Sequence, residues 1–91
     1  MYAIELKPQA AKFIAVQEKK IQRQLIAHIK ALAANPRPSG CKLLYTEEKL
    51  YRIRSGNYRI IYQIQDKILL VVVVRIGDRK DIYRHLAYFI A

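Results

Sequence analysis

Two residues, Gly56-Asn57, set between two runs of alternating side chains, constrain this chain more than any other feature of it. A two-residue link of this kind closes an antiparallel hairpin and fixes its register. Counting outward from the turn along Leu50–Ser55 and Tyr58–Gln65 puts Arg54 opposite Arg59, Ile53 opposite Ile60, Arg52 opposite Ile61 and Tyr51 opposite Tyr62. Successive side chains in a strand point to opposite faces, so Arg52, Arg54 and Arg59 share one side of the hairpin. Tyr51, Ile53, Tyr58, Ile60, Tyr62 and Ile64 share the other. The hairpin therefore divides into a cationic face and a core face.

The residues after the hairpin extend this sheet. Asp66-Lys67 reads as a tight turn, and residues 68–74 are apolar on both faces, as expected of a central strand covered by helices on one side. The reading is three antiparallel strands whose open face carries arginines. Gly77 is expected to end the last strand, with residues 78–82 crossing back over the strand ends and residues 84–91 forming a short helix or an irregular apolar tail.

The first half supplies the cover. Residues 2–6 alternate in the strand manner, and Pro8 suits a first helical position, where a missing N–H costs nothing. Between residues 9 and 34, Ala10, Phe13, Ile14, Gln17, Ile21, Leu25, Ile29 and Leu32 fall on or near one helical stripe. One unbroken helix would be roughly 40 Å long, more than the width of about 30 Å that a domain of this size allows. A break near Glu18-Lys19-Lys20 is therefore expected, giving a two-helix hairpin. The Pro- and Gly-bearing stretch at residues 35–40 stops the second helix, and Lys42-Leu43-Leu44 reads as a short edge strand or loop. The expected fold is α+β: an N-terminal strand and helical hairpin packed on a small antiparallel sheet, in one domain spanning residues 1–91.

Charge narrows the partners. Seventeen Lys and Arg against seven Asp and Glu give a formal charge of +10, which favours polyanions or an acidic protein. Cys41 is the only cysteine, so no intrachain disulfide can form, and His28 and His85 have no ligand spacing around them. No metal or cofactor is expected. Residues 1–6 do not read as a signal peptide, and the 68–74 run is far short of the ~20 residues that cross a bilayer. A cytoplasmic protein without membrane contact is the expectation.

Three arginines on one face, two of them directly opposed, are unfavourable in a sheet unless they face solvent or hold an anion. With Arg79 arriving from the next strand end, the anion site is the preferred reading, since the guanidinium fork suits phosphate. Tyr83, four residues further on, could stack on a base or donate a proton. His85 has no carboxylate placed to orient it, and Asp78 and Asp81 temper the local charge.

At these residues the chain resembles the RelE/ParE toxin superfamily, in particular its RelE branch. The likeness runs through a strand, a helical hairpin closing at Asn35-Pro36, the segment LYRIRSGNYRIIYQI, the apolar strand and RIGDRKDIYR. It implies a β-α-α-β-β-β fold and a toxin of a bacterial toxin–antitoxin pair that cuts messenger RNA in the ribosomal A site. The implied chemistry is a metal-free attack of the ribose 2′-hydroxyl on the adjacent phosphate, expelling the 5′-oxygen. The family's site residues fall on Arg52, Arg54, Arg59, Arg79 and Tyr83; Arg59 would stabilise the phosphorane, Arg79 assist the leaving oxygen and Tyr83 stack on or orient the base. The implied partners are a cognate antitoxin from the same operon, the ribosome and mRNA, with promoter DNA reached only through the antitoxin. Two departures stand out: arginines occupy hairpin slots where other members carry lysines, and Asp78 stands where a basic residue or His often precedes the Arg. Arginine is a poor general base, so the base stays unassigned. A ParE-like inhibitor of DNA gyrase and a non-catalytic nucleic-acid-binding module are the competing readings.

Overall fold

The computed structural model describes residues 1–45 and 49–80. In chain order the elements are β1 (Ala3–Leu6), α1 (Pro8–Ala15), α2 (Lys19–Ala34), β2 (Lys42–Tyr45), β3 (Leu50–Ser55), β4 (Tyr58–Gln65), a 3₁₀ turn (Asp66–Ile68) and β5 (Leu70–Asp78). The five strands form one mixed sheet in the order β1-β5-β4-β3-β2. β1 runs parallel to β5; every other pairing is antiparallel. The α+β expectation holds, and the segment left open between edge strand and loop is a strand. The expected C-terminal helix or tail lies outside the described residues.

Both helices present their apolar stripes to one face of the sheet. Ala10 and Ile14 of α1 and Leu25, Ile29 and Leu32 of α2 close over Ile53, Ile60, Tyr62, Ile64, Val71, Val73 and Ile76. The break between the helices carries no Gly or Pro; a glutamine holds it instead. Gln22 Nε2 donates to the carbonyl oxygens of Ile14 (2.9 Å) and Ala15 (3.4 Å), satisfying acceptors that the end of α1 leaves open. No helix among the described residues is long and apolar enough to cross a membrane.

The β3–β4 register is the one the turn dictates: Arg54 pairs with Arg59, Ile53 with Ile60, Arg52 with Ile61 and Tyr51 with Tyr62. The last strand departs from its expected bounds at both ends. Ile68 lies in the 3₁₀ turn and Leu69 follows it in the left-handed region at φ 52°, both exposed, and β5 begins only at Leu70. At the other end Gly77 does not release the chain; it pairs with Arg59, and the strand runs on to Asp78. Between them the register shifts, Ile61 pairing with Arg75 but Tyr62 with Val73, so Val74 is an extra residue on β5. Such a bulge resets the alternation: Val71, Val73 and Ile76 all reach the helix-covered core, and Arg75 falls in line with Ile61 and Arg52 on the opposite face.

The end of the sheet away from the Gly56-Asn57 turn is tied together by polar contacts. Arg37 grips Asp66 with two parallel bonds (Nη1–Oδ1 3.2 Å, Nη2–Oδ2 2.9 Å) and donates through Nε to the Tyr51 hydroxyl at 3.3 Å. Its guanidinium also lies over the Tyr51 ring, 5.4 Å from the centroid. Tyr2 donates to the same carboxylate at 2.6 Å. Hydrogen bonds from Arg37 and then Tyr2 pull the Asp66 carboxyl down to about 2, while the bond to Asp66 pushes the Tyr2 phenol up. Tyr62, stacked on Tyr51, is fully buried, and its hydroxyl donates to the Pro36 carbonyl at 2.7 Å.

Candidate functional site

The turn that fixes the hairpin also anchors it to α2. Gly56 takes φ 61°, in the left-handed region, while Asn57 is not among the positive-φ residues. A Cβ there would sit 2.8 Å from Gln24 Nε2, so any side chain at this position would displace that amide. That amide donates to the Ser55 carbonyl (2.9 Å) and lies 3.2 Å from Ser55 Oγ. Ser55 Oγ, on the fully buried residue that closes the hairpin, is 2.7 Å from His28 Nδ1. His28 Nδ1 in turn lies 3.0 Å from the Gln24 carbonyl.

Around this anchor the structure places the sequence-derived site residues unequally. Arg54 and Arg59 are paired across β3 and β4, but Arg54 is exposed whereas Arg59 is only 9% exposed. Arg59 Nη1 donates to the carbonyls of Gly56 (3.3 Å) and Tyr58 (3.0 Å), so this side chain braces the turn it follows. Arg79 is exposed just beyond β5, and its backbone N–H donates to the Asn57 carbonyl at 3.0 Å, which pins it beside the same turn. Asn57, Asp78, Arg79 and Lys80 border a concavity of about 310 Å³ there. Asp78 Oδ1 accepts the Lys80 backbone N–H at 2.9 Å.

Arg52 stands two cross-strand pairs further from the turn than Arg54. It is 6% exposed, and its Nε is buried with no hydrogen-bond partner among the described residues. With Arg54 it lines a separate cavity of about 590 Å³. The arginine face is therefore not open throughout, as the alternation suggests. Leu50 and Ile61, with Leu44 and Val74 against them, form a second small apolar cluster on it, and the guanidinium groups are set around that patch. Tyr83 and His85 lie outside the described residues.

Three further polar groups join this region without having been singled out in the sequence: His28, Ser55 and Lys42. Ser55 carried the only signal, a hydroxyl on the core-facing register of the hairpin that must find a buried partner. His28 sits on α2 at a spacing that does not distinguish it from other surface positions.

Known proteins share both this sequence pattern and this arrangement of elements. The family described as the ParE toxin of the type II toxin–antitoxin system parDE matches residues 4–83. A RelE-like toxin protein of Escherichia coli is 30% identical over 86 residues, 90% of each chain. Among solved structures, the toxin chain in the archaeal RelE–RelB complex from Pyrococcus horikoshii superposes with a TM-score of 0.78 at 25% identity, covering 87% of this chain and 96% of that one. The intact E. coli RelBE toxin–antitoxin complex gives 0.74 at 26% identity, covering 88% and 99%.

Proposed function

From its membership of the RelE/ParE superfamily of toxins, to which this chain belongs, we propose that it is an endoribonuclease that cuts messenger RNA in the ribosomal decoding site. The observation that carries the reading is the pairing of Arg54 directly against Arg59, with Arg79 held beside the same turn. The hairpin needs Arg59 as a brace, but nothing in its packing needs Arg54 or the Arg79 side chain. Their charge suits a phosphate.

In the proposed reaction the 2′-oxygen bonds to the adjacent phosphorus and the bond to the 5′-oxygen breaks, leaving a cyclic phosphate and a 5′-hydroxyl. The pentavalent intermediate carries more negative charge than the starting diester, so guanidinium groups fixed in place favour it over the ground state. Arg59, immobilised by two backbone carbonyls, is suited to that task. Arg79, exposed beside the turn, is suited to neutralising the departing 5′-oxygen, and Tyr83 to stacking on or orienting the base.

The matched family description favours a second reading, a ParE-like protein that inhibits DNA gyrase by binding it. Primer extension on transcripts after induction separates the two. Discrete cuts inside translated frames that disappear in Arg79→Ala support the nuclease. Intact transcripts accompanied by DNA breaks transfer the assignment to gyrase.

A cognate antitoxin completes the proposal, since the archaeal and E. coli relatives were both solved as toxin–antitoxin complexes. A charge of +10 favours an acidic segment as the covering partner. The toxin would act in the cytoplasm and reach promoter DNA only through that antitoxin.

A further inference from the structure

We propose that Arg75 is a further substrate-binding residue, one that holds an RNA phosphate beside the scissile one and so rests on the nuclease reading above. Neither the hairpin register nor the family likeness supplies this residue; the bulge in β5 does.

Tyr62 pairs with Val73 and Ile61 with Arg75. Without the extra residue, alternation from Val73 would turn Arg75 into the helix-covered core and Ile76 out of it. Bulges recur beside active sites because they re-aim a side chain in this way. The setting is held from outside the sheet. β1 stops at Leu6, opposite Val73, so among the described residues β5 has no strand on its outer side beyond that point. Gln9 of α1 takes the place of one: its Oε1 accepts the Ile76 N–H and its Nε2 donates to the Ile76 carbonyl, both at 3.0 Å. With Ile76 clamped by that amide on one side and paired with Ile60 on the other, the face that Arg75 takes is fixed.

The face it takes sets the charges in a line. Next to the turn, Arg54 pairs with Arg59 and Arg59 with Gly77. In the following row on the same face, Arg52 pairs with Ile61 and Ile61 with Arg75. Arg75 therefore lies roughly 7 Å along β5 from Gly77, and roughly 5 Å across the sheet from the strand of Arg59. The carbonyls of Gly56 and Tyr58 draw the Arg59 guanidinium towards the turn, away from the row of Arg75. Guanidinium groups spread along a face suit a ligand whose charge recurs, and a polynucleotide carries one charge per nucleotide. With the scissile phosphate at Arg59 and Arg79, the strand has to continue past them, and Arg75 stands in the next row that it crosses. Its planar fork fits the oxygens of a phosphate that does not react.

The test is the salt dependence of binding between the full chain and a short 2′-O-methyl RNA, which cannot be cut, followed by fluorescence anisotropy. For a single strand, each phosphate contact adds about 0.7 to the slope of log affinity against log salt. Arg75→Met, which keeps most of the apolar stem, and Arg75→Gln should each lower that slope by about 0.7. The loss should be alike for two RNAs of different sequence, and Arg75→Lys should restore the slope. Lys67→Ala removes the same charge from the exposed turn at the far end of the sheet and should leave the slope unchanged. The proposal is overturned by a parent chain that binds no RNA, or by neutral Arg75 variants that fold and keep the parent slope. It is overturned equally by a loss that Lys67→Ala matches, or by weakened binding of an acidic peptide with RNA binding unaltered. Because no cut is read, each of these results leaves primer extension to decide the nuclease reading separately.

Discussion

Arg37, in the loop between α2 and β2, and Arg52, on β3, are treated in opposite ways. Arg37, half-exposed at the end of the sheet away from the turn, has a bidentate carboxylate, a phenol and an aromatic face around it. Arg52 is nearly buried, and its Nε has no hydrogen-bond partner among the described residues. If the fold alone had placed these charges, the better-buried one would be the better-paired one, because an unpaired charge costs more where water is scarce. The inversion separates two uses of arginine: one end of the sheet is closed by its cations, and the other keeps cations available.

The strongest challenge to this contrast is to remove charge from each end and ask what fails. Arg79→Ala should lower transcript cleavage by about 10²-fold or more, the size associated with losing one fixed donor to a developing anion, while its melting temperature stays near that of the parent. Arg37→Ala should do the reverse, lowering the melting temperature and leaving cleavage in place. Growth arrest by Arg79→Ala equal to that of the parent would remove it from the site. Arg59 is a less informative probe than its charge suggests, since its loss also releases two backbone carbonyls at the turn.

Next in size is a substitution that should strengthen the fold. Replacing Arg52 by Met keeps most of the stem and removes the guanidinium with its unpartnered Nε, so Arg52→Met should gain about 1–2 kcal/mol in urea denaturation. A loss of stability would mean that the group is compensated after all, and the contrast with Arg37 would fall.

How far these features are legible in the sequence depends on whether the two faces of a strand differ in chemistry. The β3–β4 register can be counted from Gly56-Asn57 because Arg and Ile alternate on either side of it. The bulge at Val74 cannot, because residues 70–74 are Leu and Val throughout and a shift by one residue leaves their pattern unchanged. Alternation alone therefore misses Arg75 on the arginine face and ends β5 too early. Ile68 and Leu69 look like strand because they are apolar, yet backbone geometry places them in an exposed turn. The helix break is inferable from length alone; the contact that holds it, Gln22 on the end of α1, lies in residues with no local signature. Burial of Arg52 is invisible because alternation assigns a face but not what covers it.

An effect of similar size and opposite sign bears on the closed end. Tyr62→Phe removes only the hydroxyl that reaches the Pro36 carbonyl, leaving that acceptor buried without its donor. It should cost about 1–2 kcal/mol in urea denaturation and leave transcript cleavage unchanged. A change in transcript cleavage by Tyr62→Phe would show that the two ends are coupled through the stacked Tyr51–Tyr62 pair.

The smallest expected effect is a dependence on pH. Asp66 holds its carboxyl at about 2 in the folded chain, below the ordinary value near 3.9 of an unfolded one. Between those values the unfolded state binds the proton more readily, so stability rises with pH across the window. The contribution of Asp66 is complete above about pH 4 and lost as pH falls through about 2. Because Arg37 and Tyr2 meet this carboxylate at an exposed site, solvent and salt screen it, and the slope should be shallow and flatten further as ionic strength rises. Arg37→Ala should remove most of this slope and Tyr2→Phe a smaller part, following the order in which the two groups lower the carboxyl. At the hairpin end, Arg52→Met should leave the slope as it is, since no described carboxylate lines the cavity of Arg52. A slope between about pH 4 and 2 that follows Arg52 rather than Arg37 would place a carboxylate beside the Arg52 guanidinium, and the distinction between the two ends of the sheet would have to be abandoned.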